Sequence, residues 1–486
     1  MKTDILDLIQ QQWNIKPDTI GVKRNPSYIR LFEIFKHLIQ SGVLTGQTTL
    51  PPSRKLSESL GLSRSTVIRA YELLSNQGFT NSRKGSGYFV SNRIYPLAKT
   101  PQLHSIELST SGISFLKSFK KTNPMKSGAY AFQPGIPPLD LFPVNKWKSL
   151  LNKYWRNVQN SGLTYSSSFG LEQFREALSM HLSINRGIQC SPEQIIVVSG
   201  SVQSLFITGS ILINPGDPVA IQIPSFPNVL AIFSGLQAEI SSLDTVISQK
   251  KPVKLIHVTA TTRYPDETIL TRDRKELLLN SPNLKKSIII ENDFEHDLTK
   301  EYDDSQSLFS LDKEGRVIYL STFNRILHPS IRLAFMIVPK SLIEPVRAFT
   351  SQSHRSVPSS IQVVMDEFIR NGLLRNHIHE VRKHHGKRWD VFSKSWTSLL
   401  PELPLPPFPK TMNTIAYYHG SIKDWDLTAS RLLAENGINT HALSKCYMYE
   451  DSAKQGLIMS FTCLHHSQIP LKISQIAKLL RNSELI

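Results

Sequence analysis

Seven short apolar runs rich in β-branched residues recur through the middle of the chain, at Ile195 to Val198, Val219 to Gln222, Ala238 to Leu243, Leu255 to Ala260, Ser287 to Glu291, Val317 to Thr322 and Leu333 to Val338. Continuous rather than alternating apolarity marks strands covered on both faces, and helical segments lie between the runs. The pattern predicts an α/β fold, a seven-stranded mainly parallel sheet over residues 131–360. A helical and mixed segment, 361–486, is expected to form a smaller α+β subdomain.

The N-terminal part has a different rhythm. Tyr28, Leu31, Phe32, Phe35, Leu38 and Ile39 recur at helical spacing and predict a helix from about Ser27 to Gly42. Pro51-Pro52-Ser53 offers a start for a short second helix, Arg54 to Leu60, that Gly61 stops. Ser63 then caps a third, Arg64 to Gln77, with Val67, Ala70, Tyr71 and Leu74 inward and Ser65 and Arg69 outward. Two helices joined by so tight a turn match helix-turn-helix geometry, in which the start of the second enters the major groove. Residues 78–90 read as two short strands around a basic, glycine-bearing tip, a wing. Residues 1–24 read as an additional helix with Ile5, Leu6, Leu8, Ile9 and Trp13 apolar, to which no function is assigned. From 96 to 130, prolines, hydroxyl residues and Lys117, Lys120, Lys121 and Lys126 predict a basic linker between a 1–95 domain and the rest.

Composition narrows the partners. The chain has 486 residues, 40% of them hydrophobic, and a formal charge of +17. Residues 1–95 hold 13 Lys/Arg against 6 Asp/Glu, so +7 falls on about a fifth of the length. That fifth has the stronger claim to nucleic acid. Three separated cysteines point to a reducing cytoplasm, and neither a signal-peptide pattern nor a run long enough to span a membrane is expected.

The stretch L-P-P-S-R-K-L-S-E-S-L-G-L-S-R-S-T-V-I-R-A-Y-E-L-L followed by R-K-G-S-G-Y-F-V resembles the GntR-type winged helix-turn-helix. By position, the resemblance assigns Arg54 to a phosphate contact and Arg64 and Arg69 to phosphates or base edges. It puts Ser63, Ser65 and Thr66 at the helix start and Lys84-Gly85 in the minor groove. Downstream, Phe132-Gln133-Pro134-Gly135-Ile136-Pro137, Leu141-Phe142-Pro143 with Trp147, and Tyr165 to Arg175 resemble the entry of the aminotransferase-like domain of MocR/GabR regulators. This domain is of fold type I, the pyridoxal-phosphate (PLP) dependent class.

The resemblance implies a phosphate cup at Gly200, Ser201 and Val202 together with Thr322 and Arg332, and a ring-stacking aromatic at Phe226. Amides free at a helix start suit a phosphate on physical grounds as well. Where the family reads E-D-D-Y, this chain reads Glu291-Asn292-Asp293-Phe294, so Asn292 carries no charge for the pyridine nitrogen and Phe294 no hydroxyl for O3′. A one-residue shift would let Asp293 serve instead. The H-Q-x-P-T-G turn has become Thr262-Arg263-Tyr264-Pro265-Asp266-Glu267, and Gly456 to Phe461 lacks an arginine for a substrate carboxylate. In Ser321 to Leu333, similar to T-F-S-K-x-L-x-P-x-x-R-L, the Schiff-base lysine position holds Arg325. A guanidinium stays protonated and cannot act as that nucleophile.

Two readings of Arg325 stand side by side: with Arg332 it binds a phosphate or carboxylate, or it fills a disused pocket by pairing with Asp293, Glu291 or Asp266. The expectation is a cytoplasmic, homodimeric transcriptional regulator that binds double-stranded DNA at repeated half-sites. It forms no covalent PLP adduct and performs no catalysis; noncovalent binding of PLP or another anionic effector belongs to the first reading of Arg325 and not to the second. The rivals are an aminotransferase or PLP-dependent regulator that retains its cofactor, and a DNA-binding protein with no ligand.

Overall fold

In this computed structural model, the residues described are 5–14, 26–83, 86–92, 107–121, 131–298, 306–449 and 453–486. The chain divides into two compact units, Met1–Glu107 and Leu108–Ile486.

The first unit is built from α1 (Ile5–Asn14), α2 (Ser27–Gln40), α3 (Ser53–Leu60), α4 (Arg64–Asn76) and the antiparallel pair β1 (Thr80–Arg83) and β2 (Gly87–Val90). The apolar stripes converge: Leu31, Phe32, Phe35, Leu38 and Ile39 of α2 meet Val67, Ala70, Tyr71 and Leu74 of α4 in one core. Tyr71, edge-on to Phe35, spends its hydroxyl on the Pro51 carbonyl at 2.7 Å and so ties α4 to the turn before α3. Ile9 of α1 enters the same core fully buried, so this helix completes the domain's packing.

In the second unit all seven predicted strands form one sheet, in the order β3-β9-β8-β7-β6-β4-β5. These are β3 (Ile195–Val198), β4 (Pro218–Ile221), β5 (Glu239–Ser242), β6 (Leu255–Val258), β7 (Ile288–Asn292), β8 (Val317–Thr322) and β9 (Ala334–Ile337). Strand β9 is antiparallel to both its neighbours, and the remaining pairs are parallel. One face packs against α8 (Ser201–Leu212) and α9 (Pro227–Gly235) through Leu205, Ile207, Val229 and Phe233. The other covers Val246, Leu278, Leu284 and Leu308. Burial on both faces explains the near-continuous apolarity of the strands.

Two features depart from the sequence expectation. Thr110–Lys121, inside the stretch read as linker, is a helix, α5, lying on α9. Its Phe115 sits so close to Gly235 that a Cβ there would strike the ring. The periodicity of Ile113, Phe115, Leu116 and Phe119 was masked by neighbouring serines and lysines. Ala131 and Phe132 belong to the core of the C-terminal subdomain rather than to the sheet. That subdomain pairs β10 (Asn413–Tyr418), β12 (Gln455–Ser460) and β11 (His441–Ala442) in an antiparallel sheet. It buries Trp396, Trp425 and Phe461 against the helices Leu373–Leu399 and Ile469–Asn482. Among the described residues no helix is long and apolar enough to cross a membrane.

Candidate DNA interface and ligand site

Gly61 takes a left-handed conformation, φ 62°, which a side chain would disfavour, and turns the chain between α3 and α4. Ser63 caps α4, its Oγ accepting from the Thr66 amide at 3.1 Å and lying within 2.9 Å of the Ser65 and Thr66 hydroxyls. Arg64 projects exposed from the first turn with its Nε 3.4 Å from Ser53 Oγ, bridging the two helices. Arg54 reaches Glu58 one turn along at 3.3 Å, with 82% of its side chain exposed. An ion pair so solvated contributes little and releases its arginine readily. Arg69 lies 4.1 Å over the ring of Tyr28 from α2, which fixes its direction without consuming its donors. Arg83, at the end of β1, covers Phe89 in the same manner at 5.0 Å. The wing residues Lys84 and Gly85 lie outside the described residues.

The second site gathers at the carboxyl ends of the parallel strands, where their loops emerge on one edge. Beyond β3, Gly200 is the N-cap of α8, and Ser201 and Val202 open that helix. Beyond β8, Thr322 Oγ1 accepts from the Asn324 amide at 3.1 Å. Asn324 Oδ1 in turn accepts from Leu333 at 3.1 Å, folding the loop back on itself. Arg332 takes a left-handed φ of 49°, rare for a side-chain-bearing residue. Its guanidinium faces Gly200, 3.6 Å from where a Cβ would stand, with the Asn324 amide nitrogen at the same distance. The structure thus brings Gly200, Thr322 and Arg332 together and adds Asn324, whose role in the loop the sequence did not signal.

Asn292 ends β7, buried, with its Oδ1 lacking a hydrogen-bond partner. Asp293 is engaged elsewhere: Arg186 Nε donates to its Oδ2 at 2.9 Å and the Tyr319 hydroxyl at 2.8 Å. Burial by itself would raise the Asp293 carboxyl, but Arg186 and His296 beside it hold it below the usual carboxylate range. Glu291, fully buried, accepts from the Leu308 and Phe309 amides at 2.9 Å each, at the start of a short helix. Burial and then Asp293 push its carboxyl up to about 7. Asp266 pairs with Arg263, whose Nε lies at 2.8 Å.

Arg325 therefore pairs with none of the three carboxylates expected. Its partner is Glu295, with Oε1 3.8 Å from Nη1, and only 1% of the Glu295 side chain is exposed. The physical cause is that each of the other three carboxylates already has a cation or a pair of amides in contact. Arg325 also lies 5.5 Å over the ring of Phe294 and against Gly135, where a Cβ would collide with the guanidinium. Phe226, the N-cap of α9, is half-buried and stands edge-on to Tyr264 at 5.4 Å. Tyr264 and Glu295 were not singled out by the sequence; the one available signal was a carboxylate immediately after the altered E-D-D-Y.

Residues 28–90 match the family of bacterial regulatory proteins, gntR family, and residues 130–283 match aminotransferase class I and II. The probable rhizopine catabolism regulatory protein MocR of Rhizobium meliloti is 27% identical over 451 residues, 90% of each chain. The pyridoxine biosynthesis transcriptional regulator PdxR of Corynebacterium glutamicum is 26% identical over 441 residues, 89% of this chain and 91% of its own. The chain carries a GntR-type domain and an aminotransferase class I and II domain, and over most of its length it is similar to MocR-type transcriptional regulators. The second unit has the fold of the solved aminotransferases. An archaeal alanine:glyoxylate aminotransferase superposes with TM-score 0.66 at 22% identity, over 78% of this chain and 96% of its own. A Pyrococcus horikoshii kynurenine aminotransferase gives 0.65, also at 22% identity.

Proposed function

We propose that this MocR-type regulator works in the cytoplasm, binding operator DNA as a homodimer whose winged helices address repeated half-sites. Its aminotransferase-like domain carries out no transamination and forms no Schiff base with PLP. The observation that carries the reading is the Arg325–Glu295 pair at the place the family gives its lysine. PLP chemistry there would need three groups: an amine nucleophile, a carboxylate for the pyridine nitrogen and a phenol for O3′. Arg325, Asn292 and Phe294 supply none of them, and Asp293 is committed to Arg186 and Tyr319. The residues present do not fit the covalent cofactor. The cup of Gly200, Thr322, Asn324 and Arg332 suits an oxyanion, which supports a noncovalent anionic effector.

For the DNA face, Arg54, Arg64 and Arg69 on consecutive helices are expected to release counterions. The affinity of the full chain for duplex DNA should then fall linearly on a log–log plot against salt, with a slope of about −0.9 per phosphate neutralised. Titration over a range of salt concentrations measures the slope. A value near zero would remove DNA from the account.

A further inference from the structure

Two of the departures from the aminotransferase pattern, Glu267 and Arg325, are joined with Glu295 in one network around a single segment, residues 410–413, which leads into β10 of the C-terminal subdomain. Glu267 accepts from the Lys410 amide at 2.7 Å, from the Thr411 amide at 2.8 Å and from the Thr411 hydroxyl. Glu295 takes the next residue, its Oε2 accepting from the Met412 amide at 3.1 Å. Asn413 Oδ1 accepts from the Gly135 amide at 3.2 Å. Arg325 closes the ring, with one side of its guanidinium against Gly135 and Nη1 facing the other carboxylate oxygen of Glu295.

Two details indicate that these residues hold the segment rather than occupying leftover space. Glu267 stands where the family turn has glycine and keeps a glycine-like backbone, φ 58°. A side chain held in that region costs of order 1 kcal/mol or more and persists where its surroundings demand it. Here three donors of the 410–411 segment converge on its carboxylate. Arg325 Nη1 and Glu295 Oε1 are both buried from solvent and have no hydrogen-bond partner, so at 3.8 Å their opposite charges attract one another with little solvent screening.

We infer that Arg325 is a latch: together with Glu295 and Glu267 it ties the 410–413 segment to the strand ends, so the two subdomains are held closed with no cofactor or substrate present. The inference rests on the reading of this site as one without Schiff-base chemistry. Arg325 acts here as a positioning residue, through Glu295, and the segment it positions begins the sheet of the C-terminal subdomain.

Hydrogen–deuterium exchange on the full chain tests it, following the peptide that spans 410–418 with and without PLP. The wild type is expected to protect these amides in the absence of any small molecule, and added PLP to leave them unchanged. Arg325→Ala should speed their exchange by roughly tenfold or more while peptides of the winged helix stay as they were. Glu267→Gly, which restores the family residue, should speed the 410–411 amides in the same direction and serves if the alanine variant does not fold. Unprotected amides in the wild type, or exchange unaltered in both variants, would overturn the latch. Mass spectrometry after borohydride treatment with PLP separates the two layers. A covalent adduct on the wild type would overturn the Schiff-base-free reading, whereas no adduct together with unaltered variants would overturn the latch alone.

Discussion

Replacing Arg186 by alanine is expected to destabilise the aminotransferase-like unit by about 3–5 kcal/mol, the cost of stranding a buried carboxylate. Arg186 sits at the end of the helix Glu172–Arg186, 7% exposed, and its Nη2 meets Asp293 Oδ2 and Thr261 Oγ1 at 2.8 Å each. Asp293 is 1% exposed and has the Tyr319 hydroxyl as its other close donor. Without the guanidinium the charge must be neutralised or the site must open. Urea unfolding at neutral pH measures the loss. The acid limb gives a second check: Asp293 has its pKa depressed in the folded state, so its contribution is present above the ordinary carboxylate value and is lost as pH falls below it. The variant should lose stability at neutral pH and little more on acidification. Lysine at 186 should recover only part, since an ammonium cannot reproduce the forked contact to two acceptors. A neutral-pH loss under about 1 kcal/mol would mean that the pair does not organise this end of the sheet.

The second large effect is expected on DNA. Arg64→Ala should weaken binding to a cognate operator by about 1–3 kcal/mol if the guanidinium reads a base edge, a loss of roughly 5-fold to 150-fold. If it contacts a phosphate, the loss should extend to all sequences and the salt slope should fall by about one unit. The side chain is exposed and its partner in the protein is a serine hydroxyl at 3.4 Å, so the folded domain should survive the change. Fluorescence anisotropy on cognate and random duplexes at two salt concentrations distinguishes the cases. Unchanged affinity on both would rule out the start of α4 as the recognition element.

How much of this could be read beforehand depended on whether the information was local. Helix stripes and caps are local, and so the spacing alone places Val67, Ala70, Tyr71 and Leu74 inward and Ser63 at the cap, as the structure has them. The seven strands were legible because burial on both faces leaves a continuous apolar signature. The chemistry of Arg325 was legible in part: its identity excludes an amine nucleophile wherever it sits. Its partner was not legible. Asp293, Glu291 and Asp266 were reasonable expectations by proximity in the motifs, yet two are claimed by groups distant in sequence, Asp293 by Arg186 and Glu291 by amides 17 and 18 residues on, while Asp266 is taken by Arg263 within its own turn. Glu267 shows the same limit, because its donors lie 143 and 144 residues away and the motif displayed only a lost glycine. Helix α5 was missed for a different reason, since its apolar positions are diluted by serine and lysine within a proline-flanked stretch.

Whether this site can form a Schiff base decides what the second unit does. The most direct measurement is the absorption spectrum of the purified full chain incubated with PLP, dialysed, and then treated with borohydride. The expected result is that no aldimine band near about 420 nm survives dialysis and that the protein mass is unchanged after reduction. A band that persists and is fixed by borohydride as a covalent adduct would contradict the reading of Arg325 and return the domain to PLP chemistry.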